Sequence, residues 1–105
     1  GSHASAFATS GHSHGATAAS GSYVGNGAGS QNIAMGISAK GVLIHNLGDK
    51  MAMVIAGGST VVQNGTSTAG NGGTGISGTT LVVTGNGGAT GLNTTGVTYY
   101  WAAFA

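Results

Sequence analysis

Val97-Thr98-Tyr99-Tyr100-Trp101-Ala102-Ala103-Phe104 carries four of the chain's aromatic side chains, out of three Tyr, two Phe and one Trp in all. The stretch contains no Gly, Pro or charge. Its residues are aromatic, β-branched or small, which is the composition of a strand. Alternation puts Val97, Tyr99, Trp101 and Ala103 on one face and Thr98, Tyr100, Ala102 and Phe104 on the other. Large rings therefore stand on both faces. Such a strand is expected at a central sheet position, with one face in a core and the other in the core or against a second copy of the chain.

Upstream segments repeat the strand grammar. Ser22-Tyr23-Val24 reads as a short strand, closed by the Gly25-Asn26-Gly27 turn. From Gln31 to Ile37 the chain alternates, with Ile33, Met35 and Ile37 inward. Residues 41–47 are apolar at nearly every position and read as buried on both faces. Gly48-Asp49-Lys50 is a turn, and residues 51–56 return as the hairpin partner. Residues 60–63 and 79–84 are further strands. Between these two, residues 64–80 are Asn, Gly, Thr and Ser almost throughout and read as loop, with Ile76 the only large apolar group. Gly-Asn-Gly-Gly occurs at 70–73 and again at 85–88 as a repeated turn type. The sum is about seven or eight short strands at 8–12-residue spacing with Gly turns. The fold class expected is all-β, a small antiparallel β-sandwich over residues 20–105. Residues 1–19 are expected to be a tag remnant (Gly1-Ser2-His3) followed by an extended or flexible arm.

Charge is the compositional outlier. Lys40, Asp49 and Lys50 are the only charged side chains, 3% of the chain, against roughly 25% in ordinary globular domains. No basic patch exists to meet a phosphate backbone, so nucleic acid is not an expected partner. No apolar run approaches about 18 residues, and no charged n-region precedes an apolar stretch, so neither membrane insertion nor a signal peptide is expected. A single small domain without Cys cannot draw on disulfides, which leaves oligomerisation or metal ligation as extra stabilisation.

Catalytic groups are scarce. Asp49 is the one carboxylate, where a glycosidase needs two. No Gly-x-Ser-x-Gly elbow accompanies the histidines. Gly70-Asn71-Gly72-Gly73-Thr74-Gly75 fits a dinucleotide-binding pattern but lacks strand-turn-helix context, and reads as a hairpin loop. An enzyme is not expected. His12-Ser13-His14 has more chemical content, because residues i and i+2 of an extended chain point the same way. Three chains around an axis would offer six imidazoles to a divalent transition metal, iron foremost; alternatively both are solvated arm residues. His45 lies within an apolar strand and reads as a core or interface histidine.

The order of motifs resembles a small β domain of bacteriophage tail-fibre and virion-fibre proteins. The resemblance rests on Gly21-Ser22-Tyr23-Val24-Gly25-Asn26-Gly27, then Gln31-Asn32-Ile33-Ala34-Met35-Gly36-Ile37, then Lys40-Gly41-Val42-Leu43-Ile44, and the closing Leu92-Asn93-Thr94-Thr95-Gly96-Val97 with its aromatic strand. Gly11-His12-Ser13-His14-Gly15 is similar to the His-x-His segments of trimeric phage fibres, where three chains hold an axial metal. Together these cover about residues 11–105. Such domains often carry Pro where this chain has Ala39, which bears on the turn before Lys40. The resemblance implies a jelly-roll-like domain in a homotrimer, a virion location, and contact with a host surface glycan or other receptor and with other virion proteins. It also implies metal ligation by His12 and His14. Tyr99, Tyr100 and Trp101 are the candidate interface or glycan contacts. The alternatives are a purely structural virion component and a lectin outside any virus.

Overall fold

The computed structural model describes residues 17–48, 50–65 and 67–105. Nine strands run through them and no helix is present among them. All strand pairs are antiparallel, in two sheets. The larger sheet has the order β1 (Ala18–Val24), β9 (Thr98–Phe104), β3 (Gly41–His45), β4 (Lys50–Ile55), β5 (Val61–Asn64) and β6 (Ser67–Gly70). The smaller has the order β2 (Gln31–Ala34), β8 (Thr80–Val83) and β7 (Gly75–Ser77). The all-β, sandwich-like expectation holds.

Local chemistry explains the meander from β3 to β6. At the β3–β4 turn the Asn46 side-chain oxygen accepts from Gly48 N (2.9 Å) and Lys50 N (3.1 Å), an Asx-type turn. Gly57 takes a positive φ of 74° at the β4–β5 turn, where Gly58 N donates to Ile55 O. Each turn returns the chain beside the strand it has just left.

The core lies between the sheets. Val42, Ile44, Val54, Val62, Tyr99 and Ala103 come from the large sheet, Leu81 and Val83 from the small one, and all are buried. Met35, Ile37, Ala39 and Leu92 complete it from segments outside the strands. The inward alternation expected at Met35 and Ile37 is therefore present, although β2 itself ends at Ala34. Ala39, in the turn before Lys40, is also core.

Three readings need correction. Ala18 and Ala19, assigned to the arm, belong to β1 and pair with Phe104 and Ala103. Residues 64–80 are not simply loop but contain β6 and β7; backbone pairing, not side-chain pattern, makes those strands. The third concerns residues 41–47. Val42 and Ile44 are buried, but Leu43 and Leu47 are not, so this strand is covered on one face only within the chain.

Candidate functional site

The Gly21–Gly27 stretch and the Leu92–Phe104 stretch meet each other in space. Gly21 lies opposite Trp101, and Tyr23 opposite Tyr99, in the β1–β9 register. The Tyr23 and Tyr99 rings stack with centroids 5.0 Å apart. Tyr23 OH donates to Leu92 O at 2.7 Å. Beyond the strands, Gly25 N donates to Val97 O and Gly96 N to Gly25 O. Asn93, fully buried, accepts from Asn26 N through Oδ1, while its Nδ2 donates to Asn26 Oδ1 and Ala28 O. The opening and closing signatures thus form one clasp that fastens β1 to β9. These polar groups are spent on each other, as buried polar groups must be, and leave little to offer a ligand.

Burial shapes the chemistry of that clasp. The Tyr23 phenol is pushed well above its ordinary pKa by desolvation first and by the neighbouring Tyr99 second. It stays a neutral donor to the Leu92 carbonyl.

The repeated Gly-Asn-Gly-Gly turns are likewise structural. Asn71 Nδ2 donates to Thr84 O and Thr90 O, and Asn71 Oδ1 accepts from Thr84 Oγ1. Thr60 Oγ1 donates to Thr74 O in the interior. Lys50 Nζ donates to Gly88 O (2.8 Å) and Gly91 O (3.2 Å). One of the two lysines thereby secures the loop before Leu92.

The three aromatic candidates separate. Tyr99 is fully buried, with its hydroxyl hydrogen-bonded to Gly91 O and Thr94 N. Trp101 is 7% exposed and packs beneath Gly21. Tyr100 faces outward and stacks on His45, centroids 5.4 Å apart. Tyr100 is thus the one of the three with an accessible ring. His12 and His14 lie outside the described residues. Among the described residues no group of three or more His, Cys, Asp or Glu is gathered.

The outward face of the large sheet is the main surface feature. An antiparallel sheet with one face on a core ordinarily turns polar side chains to water on the other. Here the cross-strand rows are apolar. Tyr100, His45 and Met51 form one row, continued by Gln63 and Thr68. Ala102, Leu43, Met53 and Val61 form the next, and Phe104, Gly41 and Ile55 the third. Leu43, Met51, Met53, Ile55, Val61, Tyr100 and Phe104 are between 36% and 58% exposed. Two shallow hollows of about 200 and 230 Å³ share Leu43 and Met51 as walls.

Sequence reasoning singled out Tyr100 on this face but missed its neighbours. The available signal was that residues 41–47 and 51–56 are apolar in both phases of the strand alternation. Within a two-sheet domain only one phase can face the core.

Compared with known proteins, the chain matches no family model, no curated relative and no solved structure.

Proposed function

We propose that this chain is a non-enzymatic component of a bacteriophage virion, a trimeric fibre module that contacts the host cell surface. The observation that carries the reading is the apolar, uncharged outer face of the large sheet, which suits a protein that works by contact with other surfaces. The ordered motifs and their joining in a single β1–β9 clasp support it. On this reading three jelly-roll-like domains assemble at the virion surface, and His12 and His14 of each arm supply an axial transition-metal site.

The test is binding of the purified chain to a panel of bacterial cells and to a glycan array, alongside its mass in solution. A trimer that binds cells or a defined glycan is expected. An assembly that binds no cell or glycan and attaches only to capsids or other virion proteins would sink the receptor role. It would establish the second reading, a purely structural component. One observation favours that second reading: Asn71 and Asn93 spend both ends of their amides on internal bonds, leaving fewer groups to read a sugar. For the metal, elemental analysis should find about one ion per three chains, the stoichiometry of an axial site. Replacing His12 and His14 by Ala should remove it, and a metal-free trimer would refute the site.

A further inference from the structure

We infer that the outer face of the six-stranded sheet is the surface on which copies of this chain associate. The inference rests on the proposed self-assembly and assigns it to specific residues. The middle row, Ala102-Leu43-Met53-Val61, is apolar across four adjacent strands. Flanking it are Tyr100 with Met51, and Phe104 with Ile55. Toward the sheet edges the face turns mostly polar, with Ser20 and Ser22 on β1 and Gln63 and Thr68 on β5 and β6, Val24 at the end of β1 being the apolar exception. An apolar centre inside a polar rim is the layout of a protein–protein interface.

Size and charge select the occupant. The exposed parts of the seven large side chains sum to something on the order of 600 Å², against the roughly 800 Å² per partner of a standard stable interface. That is enough to form most of a contact between copies. No charged side chain belongs to these rows, so the face has no means of steering toward an acidic or basic partner. It matches a surface as free of charge as itself. The chain, 3% charged, presents such a surface in every copy. Sheet faces also stack naturally, with side chains interdigitating across about 10 Å.

The small sheet does not compete for this role. Its outward positions are Asn32, Ala34, Gly75, Ser77, Thr80 and Val82, and only the half-buried Val82 among them is a sizeable apolar group.

The experiment is sedimentation or light scattering on the whole chain and two variants. Wild type is expected at a multiple of the 9.9 kDa chain mass, threefold if the trimer reading holds. Leu43→Asn with Met53→Gln should drop it to one chain mass with an unchanged far-UV spectrum, while Asn32→Asp on the small sheet leaves the assembly intact. A second measurement covers the case in which the double variant misfolds. The chain has no Cys, so Met53→Cys should cross-link between copies with a short bifunctional maleimide, and Ser77→Cys should not. An associated wild type whose mass is untouched by the double variant, or that cross-links through Ser77→Cys alone, overturns this face and leaves self-assembly standing. A monomeric wild type overturns both, including one that captures phosphatidylcholine vesicles through the same side chains.

Discussion

At the scale of single residues, the clasp makes the sharpest demands. A Cβ on Gly25 would lie 2.0 Å from the Thr94 carbonyl oxygen. Backbone cannot yield that distance, so Gly25→Ala should either unfold the β1–β9 end or lower stability by about 3 kcal/mol or more, near the upper end of single-residue effects. Thermal melting reads it, and a neutral result would mean that β1 docks differently. Tyr23 gives a second prediction with a pH signature. Tyr23→Phe strands the Leu92 carbonyl and should cost about 1–3 kcal/mol. Because burial raises the Tyr23 pKa in the folded chain, the folded state keeps its proton where an unfolded tyrosine, near pKa 10, loses it. The stability from this group is complete below about pH 10 and drains away as pH rises further. Unfolding followed by Trp101 fluorescence should show that alkaline decline in wild type, and Tyr23→Phe should remove the share due to this hydroxyl. Leu47 is a milder case. It holds a φ of 63° in an exposed turn, a conformation that costs an L-residue about 1 kcal/mol. Leu47→Asn, which tolerates that region, should raise the melting temperature by a few degrees.

At the scale of elements, β9 and β6 are the extremes. β9 is hydrogen-bonded on both sides, to β1 and to β3, and puts Tyr99, Trp101 and Ala103 into the core. β6 is a sheet edge whose four residues are all exposed. Local opening tracks buried contacts and pairing. Amide exchange should therefore be slowest in β9 and β3 and fastest in β6. A protected β6 would mean that its edge is covered in solution. The same contrast explains what was legible in the sequence. β9 and β8 announce themselves because aromatic or β-branched side chains outnumber everything else in them, and β4 because it is apolar from Met51 to Ile55. The segment Ser67-Thr68-Ala69-Gly70 has only Thr68 of the β-branched or aromatic kind, and β6 exists because β5 offers a ladder to pair with. Its strand character lies in the neighbour, where a single-segment reading cannot find it. The clasp was half legible. Gly25-Asn26-Gly27 and Leu92-Asn93 read as turn and loop residues, but the Asn26–Asn93 pairing spans 67 positions of sequence, and no local pattern encodes it. Both rings of Tyr99-Tyr100 read alike, and only the register shows that the first closes the core while the second meets water.

At the scale of the whole molecule, the distribution of polarity governs behaviour. A small domain buries a limited share of its surface, and this one leaves a second apolar face uncovered within the chain. If copies cover that face, the folded state is stabilised by association while the unfolded chain is not. Its apparent stability must then depend on protein concentration. The melting temperature should rise steadily as concentration increases from micromolar to hundreds of micromolar, and Leu43→Asn with Met53→Gln should flatten that rise. Salt discriminates the physical cause. Ionic contacts weaken as sodium chloride screens them, but the contact rows contain no charged side chain. Association should therefore change little from low salt to about 0.5 M sodium chloride, where the screening length has fallen to a few Å. Sulfate, which strengthens apolar burial by exclusion from the surface, should tighten it. Association that dissolves in sodium chloride and is indifferent to sulfate would point to the three charged residues instead. That outcome would remove the apolar face from the centre of the assembly. The concentration series and the salt series together ask the chain whether its second face is a surface or an interior.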